Sequence, residues 1–139
     1  MHVEHHVDIN AATEHVYSII SDVEKWPEIT ESVKSVELLT PGPLAVGSEA
    51  RISQPKFGTR VWRVTAVEPG KSFTWETSGG GARMVATHTV TPRAGGSTLT
   101  LIVDSTGLAV KLFGWMMAGT GRRFMEMEAA GVKRRAEAT

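Results

Sequence analysis

TRVWRVTAVEPGKSFTWETS, residues 59–78, holds two runs rich in β-branched and aromatic residues on either side of Pro69-Gly70. Such runs favour strands. Proline presets φ and glycine accepts a positive φ, so the pair marks a turn and the stretch reads as a hairpin. A two-residue turn sets Glu68 opposite Lys71, Ala66 opposite Phe73, Val64 opposite Trp75 and Trp62 opposite Thr77, all on one face. The other face holds Arg63, Thr65, Thr74, Glu76 and Ser78, with Val61 and Val67 as apolar exceptions. One side of the hairpin is greasy and the other suits water.

Working outward, the same alternation continues. After Gly79-Gly80-Gly81, Met84, Ala86, His88 and Val90 alternate with Arg83, Val85, Thr87 and Thr89. After PRAGG, Leu99, Leu101 and Val103 alternate with Thr98, Thr100, Ile102 and Asp104. Upstream, SVKSVELL and SEARIS add strand-like runs around the PGPLAVG loop at 41–47. The N-terminal MHVEHHVDIN sets Val3, His5, Val7 and Ile9 against His2, Glu4, His6 and Asp8, the period of a half-buried strand. Asn10 then offers a cap for a helix carrying Val16, Ile19 and Ile20 on one face. Ser21-Asp22 breaks that helix or caps a second short one. Trp26-Pro27 follows, and because proline disfavours helical geometry at the residue before it, Trp26 is expected on a turn. There it either caps a core or closes the mouth of a hollow.

The last thirty residues change period. Phe113, Met117, Thr120, Phe124, Met127 and Gly131 recur at spacings of four and three, the stripe of a long amphipathic helix that covers the sheet. Gly114, Gly119 and Gly121 weaken its first half, each by roughly 1 kcal/mol relative to alanine.

Composition removes several classes of function. At 139 residues the chain fits one domain, residues 1–139. It has no cysteine, which excludes disulfides, thiolate metal sites and cysteine nucleophiles and fits a cytoplasmic location. Lys+Arg and Asp+Glu balance at 15 each, so no basic field draws nucleic acid. The longest apolar run, LAVKLFGWMMAG at 108–119, contains Lys111 and is too short to span a bilayer. The start has no basic-then-apolar layout of a secretory leader. Phosphate loops, dinucleotide fingerprints, zincin motifs and nucleophile elbows are missing. No cofactor is expected. Nor is a metal, since His2 and His6 share a strand face while His5 points the other way.

In order and spacing, several pieces resemble the START-like helix-grip superfamily, in its polyketide cyclase/dehydrase-like branch related in fold to the birch-pollen allergen. They are VDINAATEHVYSIISDVEKWPEIT (7–30), VGSEAR (46–51), VEPGKSFTW (67–75), GGSTLTLIV (95–103) and the closing VKRRAEA (132–138). The resemblance implies an α+β fold in which a curved antiparallel sheet of about seven strands wraps a long C-terminal helix, with two short helices after the first strand. It also implies a cavity between sheet and helix for an apolar or amphipathic small molecule, with the tryptophan–proline stretch near one end.

On this reading Trp26, Trp62, Trp75, Met84, His88 and Leu101 face Phe113, Met117, Thr120 and Phe124 across the cavity, unless they simply pack together. The two outcomes differ in volume: interiors fill to a density of ~0.75, whereas ligand sites are hollows of ~300–1,000 Å³. His88 alternates in phase with Met84, Ala86 and Val90, and a buried imidazole needs a partner. A neighbouring hydroxyl or backbone group could satisfy it; otherwise it orients a ligand or moves a proton. Tyr17, the only tyrosine, is the second catalytic candidate. Asp104 falls on the polar face, which leaves His88 without an evident carboxylate. Binding of a small hydrophobic or amphipathic molecule, for carriage or sequestration, is therefore the leading expectation. A cyclase/dehydratase using general acid–base catalysis is the alternative, and a monomer or homodimer the expected assembly. An interaction module with a solid interior is the third possibility.

Overall fold

The structure is a computed structural model and describes residues 1–138. Strand β1 (His2–Ile9) leads into helix α1 (Thr13–Ser21), a single 3₁₀ turn at Val23–Lys25 and the one-turn helix α2 (Trp26–Ile29). Strands β2 (Ser35–Leu38), β3 (Glu49–Gln54), β4 (Gly58–Glu68), β5 (Ser72–Gly79), β6 (Ala82–Arg93) and β7 (Gly96–Thr106) follow, and helix α3 (Leu108–Glu137) closes the chain. All seven strands form one antiparallel sheet in the order β1-β7-β6-β5-β4-β3-β2. Its greasy side grips α3, which is the helix-grip architecture. α1 begins after Ala12, with no side-chain cap, so Asn10 does not cap it; instead the Asn10 N–H donates to Glu137 Oε2 at 2.9 Å.

The central hairpin departs from the two-residue turn in an instructive way. Lys71 N–H donates to the Glu68 carbonyl at 2.9 Å, Gly70 takes φ +77°, and Glu68 pairs with Ser72. The loop therefore has three residues, which slips the pairing by one: Val67 faces Phe73 and Ala66 faces Thr74. A bulge between Val64 and Ala66 restores the register, so Val64 still pairs with Trp75 and Arg63 with Glu76. A bulge adds one unpaired residue and turns the strand. Thr65 and Ala66 both point to water, while Val67 joins the core instead of standing as an apolar exception on the wet face. Val61 stays exposed.

The core is one cluster of buried residues between sheet and helices. Ile9, Val16, Ile20, Val23, Phe73, Val90 and Leu99 are buried, and Ala129, Val132 and Ala136 of α3 press onto them. Full burial of each large member contributes roughly 1.5–3 kcal/mol. The helix face that meets the core runs through Gly114, Met125, Ala129, Gly131, Val132 and Ala136, so of the expected stripe only Gly131 is fully buried. This face is about one residue round from the Phe113–Gly131 stripe the spacing predicts. Gly131 is the tightest point: a Cβ there would lie 2.0 Å from the Ile29 carbonyl oxygen, which also accepts a bond from Arg134 at 3.0 Å.

The same substitution should therefore have opposite signs along one helix. Gly131→Ala forces α2 and α3 apart and is expected to lose about 1–3 kcal/mol. Gly119→Ala meets nothing within 4 Å and is expected to gain up to about 1 kcal/mol from helix propensity alone. Urea unfolding of the two variants checks both.

Candidate functional site

Trp26 opens α2 with helical φ −55° and ψ −37° rather than lying on a turn. Proline's missing N–H costs little in a first helical turn, and the bias against helical geometry before it is overcome by what the indole gains. Trp26 Nε1 donates to the Ile20 carbonyl at 3.1 Å, locking α2 onto the end of α1. The ring packs edge-on to Trp75 with centroids 5.3 Å apart, and lies 5.5 Å from His88. Trp62 joins Trp75 at 5.9 Å. Such aromatic pairs are each worth ~0.5–1.5 kcal/mol beyond area burial.

His88 stands in the middle of this group. Its ring stacks on Phe73 at 4.4 Å and 11°, and meets Trp75 edge-on at 5.9 Å. Facing it from α3 is Glu128, with His88 Nε2 3.3 Å from Glu128 Oε1; the two side chains are 5% and 16% exposed. The pair is close but poorly aligned, and neither His88 Nδ1 nor Glu128 Oε1 has a hydrogen-bond partner in this structure. Most buried polar atoms have one. His88 Nδ1 and Glu128 Oε1 are two exceptions, on residues that face each other beneath an aromatic wall.

His88 and Glu128 border empty space. A cavity of about 110 Å³ is lined by Trp26, Trp62, Trp75, Met84, His88, Leu101, Phe124 and Glu128, among others. A second, of about 280 Å³, lies toward the N-terminal half of α3 and includes Phe113, Met117, Met1 and Val3 in its wall. The two share Phe57, Met84, Val103, Gly121 and Met125. The two adjoin at these residues, and the larger alone comes close to the ~300 Å³ lower end of typical small-molecule sites. The interior is not solid.

Nine of the ten residues expected around the cavity thus line one hollow or the other. Thr120 does not, because the true inner face of the helix is rotated past it. Tyr17 lines neither: its hydroxyl reaches the Ser72 carbonyl at 3.5 Å, and burial pushes the phenol pKa up. It is not placed for proton transfer to a guest. Asp104 pairs with His2 at 2.5 Å on the outer face, as its strand position implies. The carboxylate that the sequence reading did not find for His88 is Glu128. Counting in threes and fours from Gly114 through Gly121 and Met125 arrives at it, but a stripe drawn through the largest apolar residues does not.

Residues 1–137 match the family described as polyketide cyclase/dehydrase and lipid transport, and the chain belongs to it. No curated protein matches the sequence. Among solved structures, a START superfamily protein from Mycobacterium smegmatis is similar at 18% identity and TM-score 0.81, over 99% of this chain and 97% of that one. The Zhui aromatase/cyclase from a Streptomyces species is similar at 19% identity and TM-score 0.82, over 99% and 93%. The chain spans half of StfQ, a di-domain aromatase/cyclase of the steffimycin biosynthetic pathway, at 14% identity and TM-score 0.81, with 99% of this chain covered. At such identities the likeness is one of fold.

A buried polar pair without full satisfaction should weaken the fold it serves. His88→Phe alone strands Glu128 and is expected to cost about 1–3 kcal/mol. Adding Glu128→Leu removes the stranded polar group, and the double variant is expected to equal or exceed the starting protein, by up to about 4 kcal/mol. Equilibrium unfolding of the single and double variants tests this directly.

Proposed function

We propose that residues 1–139 act as one ligand-binding domain, which takes a small apolar or amphipathic molecule into the hollow between sheet and α3. Its polar group, a hydroxyl or carbonyl, rests on His88 and Glu128. The observation that carries this reading is that His88 and Glu128, which hold the unpartnered buried atoms Nδ1 and Oε1, line a mainly apolar cavity whose other polar members are Gln54 and Thr87. A guest that supplies the missing hydrogen bonds recovers their desolvation cost, and the apolar wall takes the rest of its surface. Methionines 84, 117 and 125 suit a wall that adapts to its guest. Native mass spectrometry of protein purified from its own cells should show a co-purifying small molecule. In solution, a long-chain alcohol or phenol should quench the cavity tryptophans, and Glu128→Gln should weaken its binding by roughly 5- to 30-fold. Binding of these probes that is unchanged by Glu128→Gln, or missing altogether, contradicts the reading.

A second reading is supported by the same contact. A histidine and a carboxylate converging from β6 and α3 form an acid–base pair, which is what dehydration of a β-hydroxy ketone requires. The imidazole takes the proton α to the carbonyl, the C–O bond breaks, and the leaving hydroxyl departs as water with a proton from the pair. A β-hydroxy ketone probe should then gain the absorbance of a conjugated enone, with the rate falling at least ~100-fold in His88→Ala. Binding of the probe without that absorbance leaves carriage as the function.

A further inference from the structure

The first half of α3 is apolar on both sides. Its inner side, including Ala109, Val110, Phe113 and Met117, walls the larger cavity. Its outer side repeats the pattern with Leu108, Leu112, Trp115 and Met116 at spacings of four, three and one, all more than half exposed, with Trp115 at 78%. A helix that is apolar all round is normally buried all round, in a core or in lipid. Here one side faces water, and Phe113, part of the cavity wall, is itself 55% exposed, so the hollow reaches the surface beside this stripe.

The surrounding charge selects the partner. From Ser105 to Met125 the charged residues are Lys111, Arg122 and Arg123, with no acid among them. Across the cavity, Lys56 and Arg60 lie in the same wall. Acids stand at the border of this region: Glu126 follows in α3, Glu4 lies beside Arg122, whose guanidinium donates to the Glu4 carbonyl at 3.3 Å, and Glu76 and Asp104 are paired with Arg83 and His2. Long basic side chains flanking exposed Leu, Trp and Met are the layout of a helix that lies in a membrane interface, with ammonium and guanidinium groups reaching to head groups. No helix among the described residues is long and apolar enough to cross a membrane, so the contact is one of lying on the surface. We propose that the outer face of α3 between Leu108 and Met116 docks on an anionic lipid surface and presents the mouth of the cavity to it. The docking rests on the exposed stripe and its basic neighbours, the presentation of the mouth rests on the cavity reading above, and neither depends on which guest the cavity holds.

Of the four tryptophans, Trp26, Trp62 and Trp75 are buried, so a change in emission on contact with lipid reports Trp115. Purified protein with no ligand added is mixed with vesicles of phosphatidylcholine containing roughly one-third phosphatidylserine, or of phosphatidylcholine alone. Expected are co-flotation with the anionic vesicles, a blue shift with loss of acrylamide quenching, and reversal by salt. Trp115→Glu and Leu112→Glu, at exposed positions that leave the core intact, should each lower partitioning about tenfold or more. Trp115→Phe should still float while losing the signal. Absence of flotation at low salt overturns the proposal. So does equal flotation of the glutamate variants, or sedimentation as a dimer that Trp115→Glu converts to monomer, which would assign the face to a second copy of the chain. Because no ligand is present, failure here is distinct from failure of the cavity reading.

Discussion

Gly131 lets α3 settle against the Ile29 carbonyl, and the rest of the helix follows from that point. With no Cβ at 131, the backbones of α2 and α3 meet directly, and Arg134 adds its bond to the same oxygen. A helix is stiff over its length and rises 1.5 Å per residue. Fixing it at one end therefore fixes where its other side chains stand. Ala129, Val132 and Ala136 are small enough to press onto the sheet, and the core closes around them. One turn earlier Glu128 comes level with His88; earlier still, Gly121 and Met125 border open space. The hollow is thus a consequence of tight docking at one end, with glycines and a carboxylate where a filled core would carry large apolar groups.

The fold was legible because the sheet obeys a period of two almost without exception. Every inward residue assigned on β5, β6 and β7 sits as the alternation requires, including His88. The one strand error came from turn chemistry. Pro69-Gly70 also suits a three-residue loop, and the bulge at Thr65, where no glycine or proline signals it, cancelled the slip. Without the bulge, Trp62 and Val64 would have turned to water. Two compensating irregularities left the local register right for Val64 and Trp75 and wrong for Ala66 and Val67.

The helix was harder to read, for a physical reason. Assigning its inner face to the bulkiest apolar side chains assumes that apolar bulk is buried. In α3 that rule holds for the second half and fails for the first, where Trp115 and Met116 face out and Gly114 and Gly121 face in. The apparent stripe was pulled toward the outer set, which moved Thr120 onto the cavity and Glu128 off it. A carboxylate inside an apolar groove breaks the pattern that periodicity depends on. The proposed site falls where sequence regularity lapses, and local conflict of this kind is common at functional sites.

His88 and Glu128 belong to separate elements, β6 and α3, and only the docking of α3 brings them within 3.3 Å. Any guest that enters between sheet and helix acts on that separation. One that pushes the helix outward breaks the contact and must solvate two groups with its own atoms, which favours molecules bearing both a donor and an acceptor. One slim enough to leave the helix in place finds the two groups still 3.3 Å apart. On the proposed reading, the shape of the guest would decide whether the pair serves as an anchor or as a proton relay.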